Sequence, residues 1–214
     1  MSSASGAAQP QRSLEVERSY DADEAHALPD FRALPAVAAV GEPEVRELDA
    51  RYFDTPDARL ARARIAVRRR SGGHDAGWHV KISAAQGRHE WGWPLDDGDA
   101  EGATVPDDVA AAIAEWAEPP FTPLARVRNT RTAYALRDAD GALVAEFVDD
   151  RVRARDERRG VESSWREWEV ELGPAGPTDP PGVEAFFAAV AAAVAAAGGR
   201  PAASDSKLAR ALGA

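Results

Sequence analysis

Glu167-Trp168-Glu169-Val170-Glu171 places a carboxylate at every second position, with Trp168, Val170 and Leu172 in the alternate ones. A period of two marks a β-strand, because successive side chains leave a pleated backbone on opposite faces. One face of this strand is therefore acidic and the other apolar. The pattern recurs near the N-terminus, where Glu15, Glu17 and Ser19 oppose Leu14, Val16 and Tyr20. Other alternating stretches carry cations instead. Arg64, Arg68 and Arg70 oppose Ile65 and Val67, His79 and Lys81 oppose Trp78, Val80 and Ile82, Arg88 shares a face with Glu90, and Arg126 with Arg128.

Charges at alternate positions usually mark a solvated sheet face. Such faces tend to mix signs, since like charges on neighbouring strands cost a few tenths to about 1 kcal/mol. Here two strands are purely acidic and others mainly basic. Glutamates at i, i+2 and i+4 lie about 7 Å apart and repel unless cations stand among them. Oxygen-only clusters suit a hard divalent ion such as Mg²⁺ or Mn²⁺, and a wall of arginine and lysine suits a phosphate chain. If the strands curl so that these faces point inward, a ligand carrying both metal and phosphate compensates both signs together.

Working outward, the spacing predicts strands over Leu14–Tyr20, Glu44–Asp54, Arg64–Arg70, Gly77–Ser83, Arg88–Trp93, Leu124–Leu136, Ala142–Val148 and Ser164–Leu172. Asp54-Thr55-Pro56-Asp57, Ala85-Gln86-Gly87 and Asp138-Ala139-Asp140-Gly141 are turn signals between them. Helices are expected at Pro106–Ala117, Gly182–Ala197 and Ser206–Leu212, with one or two short ones in Asp23–Val40. Met1–Ser13, small and polar, reads as a disordered tail. The sum is an α+β fold: an eight-stranded antiparallel β-barrel with helices packed outside, filling residues 14–214.

Composition narrows the function. The 214 residues carry a net charge of −10, 44% hydrophobic residues, six tryptophans and no cysteine. That is enough apolar surface for a sizeable core, and it leaves no disulfide, thiolate metal site or thiol nucleophile. The acidity argues against general nucleic-acid binding. No apolar run reaches the roughly 18 residues of a membrane span, and no secretion signal is evident, so a cytoplasmic protein without membrane partners is expected. Arginines number 24 and lysines two, Lys81 and Lys207. No Ser/His/Asp or Cys/His arrangement stands out. His26, His74 and His89 read as structural or solvated, and His79 as a hydrogen-bonding residue on a polar face.

Taken in order, the motifs resemble the CYTH family of triphosphate tunnel metalloenzymes. Glu15-Val16-Glu17 is similar to its ExExK opening, Tyr52-Phe53-Asp54-Thr55-Pro56-Asp57 to YxDTP, Ala66-Val67-Arg68-Arg69-Arg70 to LRxR, and Gly77-Trp78-His79-Val80-Lys81 to GWxxK. Arg88-His89-Glu90 resembles RxE, Arg128-Asn129-Thr130-Arg131-Thr132-Ala133-Tyr134 a basic strand, Glu167–Glu171 the ExExE strand, and Ser206-Lys207 the terminal SK. Single motifs of this length are weak; eight in order, over Leu14–Leu212, are strong.

The resemblance implies an eight-stranded tunnel that hydrolyses triphosphates with Mg²⁺ or Mn²⁺. It implies metal ligands at Glu15, Glu17, Glu167, Glu169 and Glu171, and phosphate contacts from Arg68, Arg70, Lys81, Arg128, Arg131 and Lys207. Glu17, Glu169, Arg68 and Lys81 would stand at the reacting phosphate, with Glu90, Glu146 and Asp150 completing the lining. Both lysines fall on family positions. One position departs: the lysine ending ExExK is Ser19 here, and Arg18 points to the opposite face. Reduced activity or a changed substrate is expected from the missing cation. The substrate is expected to be inorganic triphosphate, polyphosphate or an organic triphosphate such as thiamine triphosphate. The alternatives are a non-catalytic polyphosphate-binding module and an adenylate cyclase of the family's class IV type. Oligomeric state is not readable.

Overall fold

The computed structural model of the protein describes residues 9–84, 87–95, 104–204 and 206–213. Its strands are β1 (Gln11–Glu15), β2 (Glu17–Ala22), β3 (Ala39–Val40), β4 (Glu44–Asp54), β5 (Ile65–Ser71), β6 (Gly77–Ala84), β7 (Gly87–Pro94), β8 (Thr122–Arg137), β9 (Leu143–Asp156), β10 (Val161–Leu172) and β11 (Arg200–Pro201). The helices are α1 (Arg59–Arg62), α2 (Asp107–Ala112), α3 (Pro180–Ala196) and α4 (Lys207–Ala211). The strands form one antiparallel sheet in the order β1-β7-β6-β5-β4-β8-β9-β10-β2-β11, with β3 added to β8.

Setting aside the two-residue β3 and β11, and counting β1 and β2 as one interrupted strand, eight long strands remain, as expected. The expected closed barrel is corrected in one respect: hydrogen bonds do not close the sheet. β1 pairs with β7, β2 pairs with β10, and among the described residues no ladder crosses between those two pairings. The chain itself spans the seam at Val16, whose carbonyl accepts from Leu172 N at 3.0 Å.

Alternation sorts the side chains onto two faces. On the outside, α1 and α2 cover Phe53, Val67, Trp78, Val80 and Trp93, while α3 and the Phe31–Val37 segment cover Tyr20, Phe147, Trp168 and Val170. α4 behaves differently. Its Leu208 and Ala211 pack on Ala50, Tyr52, Val127, Val152 and Ala154, residues that share the inward face with the charged rows, so this helix plugs the interior. Burying this apolar cluster contributes about 25 cal/mol per Å² of surface withdrawn from water.

Local chemistry explains the ends of the elements. The buried Asp54 carboxylate accepts from Thr55 N (2.7 Å), Leu60 N (2.9 Å) and Ala61 N (3.0 Å), so the Asp-Thr-Pro-Asp turn is a scaffold for α1. Asp179 caps α3 by accepting from Gly182 N at 2.9 Å, and Ser206 caps α4 by accepting from Ala209 N at 3.1 Å.

Three expectations change. No α-helix forms in residues 23–40, where Pro29 and Pro35 interrupt the chain and turns lead into β3. β9 runs on to Asp156, because Val152 and Ala154 stay on the inner face while Arg151, Arg153 and Arg155 take the outer one. The tail was expected to reach Ser13, yet Gln11, Arg12 and Ser13 pair with Gly92, Trp91 and Glu90. Residues 1–8 of that tail, and Ala85 and Gln86 of the expected hairpin, lie outside the described residues.

Candidate functional site

The inward faces enclose a cavity of about 380 Å³. β1 and β2 bring Glu15 and Glu17 to it, β5 brings Arg68 and Arg70, and β6 brings Lys81. β7 adds Arg88, β8 Asn129 and Arg131, β10 Glu169 and Glu171, and α4 Lys207. Most of the residues expected at a site are thus brought together, from six strands and one helix.

Arg128 is not among them. It is exposed on the outer face, directly across from Asp49 and Arg153. Arg128 and Arg131 have opposite parity on one regular strand and cannot both face inward; Arg131 does, together with Asn129. Glu167 faces inward but lies beneath the cavity floor, against Lys207 and the Trp165 indole N–H.

The floor is a knot of charge. Lys207 Nζ lies 2.5 Å from Glu167, 2.7 Å from Glu169 and 2.9 Å from Asp150, three carboxylates whose oxygens approach closely enough to hold a cation. Arg131 donates to Asp150 at 2.7 Å and to Glu169 at 2.8 Å, and Asn129 donates to Asp150 at 2.9 Å. Burial pushes the Glu169 pKa up, but Lys207 and then Arg131 outweigh it and hold this carboxyl well below the usual range. The lysine expected on phosphate is thus engaged with carboxylates.

The opposite wall has its own pairs. Lys81 Nζ lies 2.6 Å from Glu15 and 2.8 Å from Glu90, and Arg88 pairs with Glu17. Burial, followed by a hydrogen bond to Glu90, raises the Glu15 pKa to about 8, so Glu15 carries the proton of that pair. Burial also pushes Glu90 up, yet His79 and its other bonded neighbours win and keep it ionised. Glu171 is raised to about 7, first by burial and then by Glu17, its direct cross-strand neighbour. Glu15 and Glu171 are therefore the two acids of this wall and rim whose charge is least compensated.

The cations between them are crowded. Burial, then the neighbouring Arg68 and Arg131, bring the Arg70 pKa down to about 9. The buried Nε atoms of Arg68 and Arg70 meet no acceptor among the described residues. Guanidiniums with unspent donors, packed side by side in a cavity, suit a polyanion. The acids opposite offer only oxygen, the donor set of a hard divalent cation. Glu15, Glu17, Glu169 and Glu171 bring such oxygens to the cavity, with Glu171 the least compensated, while the described carboxylates close enough together to share one ion are Asp150, Glu167 and Glu169.

Sequence reasoning missed Asn129, Arg46 and Asp75. Arg46 faces inward and pairs with Glu146 at 3.1 Å and Glu44 at 2.9 Å. Strict parity from Leu48, Ala50 and Tyr52 would have found it; parity from Arg131 would have found Asn129. Asp75 lies in a connection, where no periodicity applies.

The family model for the CYTH domain matches residues 14–188. The chain belongs to the CYTH family. Two uncharacterised proteins of Mycobacterium tuberculosis, from strains H37Rv and CDC 1551, are each 40% identical to this CYTH chain over 220 residues. The match takes in 97% of this chain and 42% of each relative, so the chain spans less than half the length of the curated relatives it matches. Among solved structures, a candidate adenylate cyclase from Bacillus halodurans superposes with a TM-score of 0.63 at 18% identity, covering 93% of this chain and 97% of its own. The Hippeastrum candidate adenylyl cyclase HpAC1, described as having a dominant triphosphatase activity, gives 0.55 at 18% identity, covering 94% and 96%. At that identity the likeness is one of fold. No helix among the described residues of this CYTH domain is long and apolar enough to cross a membrane.

Proposed function

We propose that this CYTH domain is a metal-dependent triphosphatase, acting on inorganic triphosphate or on an organic triphosphate of the thiamine triphosphate type. One observation carries the reading: Glu171, poorly compensated by cations, and Arg68 and Arg70, whose Nε donors meet no acceptor among the described residues, line the same cavity. A phosphate chain bound with a divalent ion neutralises both. HpAC1's described activity is of the same kind.

In this reading Arg68, Arg70 and Arg131 take the phosphate oxygens, orienting the chain and offsetting the charge that builds on bridging and non-bridging oxygens. Glu17, Glu169 and Glu171, with Glu15 once deprotonated, hold the metal. Mg²⁺ or Mn²⁺ there supplies charge neutralisation and an activated water. Lys81 keeps Glu15 and Glu90 in place, and Lys207 does the same for Glu169. With α4 plugging the interior, the group attached to the reacting phosphates points away from the plug. Ser19 leaves this wall one cation short, which lowers affinity or turnover.

The test is phosphate release from inorganic tripolyphosphate, thiamine triphosphate and ATP, with Mg²⁺ or Mn²⁺ and with chelator, repeated on Glu17→Ala. Metal-dependent release that Glu17→Ala lowers at least about a hundredfold is expected. A Glu17→Ala variant as fast as the parent overturns the ligand assignment. Tight binding without turnover would indicate a polyphosphate-binding module instead, and cyclic AMP from ATP a cyclase.

A further inference from the structure

Arg70, a buried cation of the phosphate wall, already has a partner: the Asp75 carboxylate pairs with it. Asp75 itself is 58% exposed and reaches in from the rim, where it joins the cavity lining. It belongs to the short β5–β6 connection, whose course is set by Gly72 and Gly73 at φ 78° and 76°. A side chain at Gly72 would sit 1.9 Å from the Glu47 carbonyl, so the base of this connection is anchored against β4. The Asp75 backbone carbonyl lies 2.9 Å from His79 Nε2. The base of the connection is thus held while the Asp75 side chain lies on the solvent side.

We propose, on the basis of the phosphate reading above, that Asp75 is a built-in competitor for the substrate. Its carboxylate neutralises Arg70 within the cation cluster of Arg68, Arg70 and Arg131, and an incoming phosphate must displace it. Both anions cannot use one guanidinium face in the same cavity, because like charges a few ångströms apart repel. Swinging the carboxylate out to water trades one partly solvated ion pair for a charge-assisted, multidentate one. Asp75 therefore sets the affinity threshold: a monovalent or weakly charged anion does not repay the lost Arg70–Asp75 pair, whereas a highly charged chain does.

The test is calorimetric titration of inorganic tripolyphosphate, without divalent metal, into the parent protein and into Asp75→Asn and Asp75→Glu. The asparagine keeps the size and the backbone bond to His79 but not the charge. Asp75→Asn should bind tripolyphosphate about fivefold more tightly, and gain relatively more for orthophosphate, while Asp75→Glu stays close to the parent. A thermal melt of each variant serves as the folding control. Equal or weaker binding by a folded Asp75→Asn overturns the competitor role and would make Asp75 a residue that positions Arg70. Failure of the parent and both variants to bind tripolyphosphate would overturn the phosphate reading itself.

Discussion

Lys207 Nζ lies 2.7 Å from Glu169, and the residue facing Glu169 across the β10–β2 ladder is Ser19, where the family pattern has a lysine. Glu169 thus meets a cation from the other end of the chain and a neutral hydroxyl-bearing residue on the N-terminal strand. Lys207 stands at the first position of α4, an unfavourable end for a cation, and it is held there by the three carboxylates around it. Lys207→Met leaves Asp150 and Glu169 to Arg131 and Asn129, and Glu167 to the Trp165 indole N–H and to Arg210 at 4.0 Å. Breaking one partner out of a buried charge cluster costs about 3–5 kcal/mol, which for a chain this size lowers the melting temperature by roughly 10 °C. Divalent metal should restore part of that loss, because the vacated carboxylates can hold an ion. An unchanged melting temperature would show that Lys207 adds nothing to the floor.

Ser19→Lys adds an ammonium on the same face as Glu17, beside Glu169 and near Glu171, whose carboxyl has no ion-pair partner among the described residues. Affinity for tripolyphosphate should rise by several-fold, and the metal-free protein should become more stable by about 1 kcal/mol. Titration and denaturant unfolding read the two effects. If neither moves, the departure at Ser19 is already compensated by Lys207.

Parity on β8 separates two arginines that the motif alone does not. Arg131→Ala should weaken tripolyphosphate binding at least about tenfold and destabilise the fold, since Asp150 and Glu169 lose a buried partner. Arg128→Ala, on the exposed face, should leave KM and stability unchanged. Steady-state kinetics with a matched melt decides it; a KM effect from Arg128 would mean that the strand turns differently during binding.

The same contrast shows what was legible in the sequence. The alternation of Glu167–Glu171 and of Arg64–Arg70 was enough for the strands, the antiparallel order and the inward charged faces, because one buried and one polar face forces a period of two. Arg128 was misplaced where a motif overrode that period. The open seam at Val16 was not legible, since a strand that changes partner keeps its alternation. Nor was the plug: Lys207-Leu208-Ala209-Arg210-Ala211 reads as a short amphipathic helix, and nothing in that pattern says whether its apolar side meets the outside of the sheet or the inside. Asp75 and the Arg70 contact depend on where a glycine-led turn returns the chain, which no local pattern records.

Acid sensitivity should come through His79. Its two ring nitrogens face acceptors, Glu90 at Nδ1 and the Asp75 carbonyl at Nε2, an arrangement that invites a second proton. Burial, the larger effect, and the nearby Arg68 and Arg70 oppose it and bring the pKa down from 6.5 to about 4. The folded state then binds this proton less readily than the unfolded chain does. The stability from a neutral, buried His79 is therefore fully present above about pH 6.5 and is lost progressively as the pH falls toward 4. The full span corresponds to at most about 3 kcal/mol. His79→Gln keeps hydrogen-bonding groups without the titration, so urea unfolding between pH 7 and pH 4 should show a steeper decline for the parent than for the variant. The difference between the two is the quantity to read, because carboxylates held low in the fold, such as Glu169, lose their own contribution below about pH 4.5 in both proteins. Parallel curves would mean that His79 is already protonated at neutral pH, sharing its Nδ1 proton with Glu90.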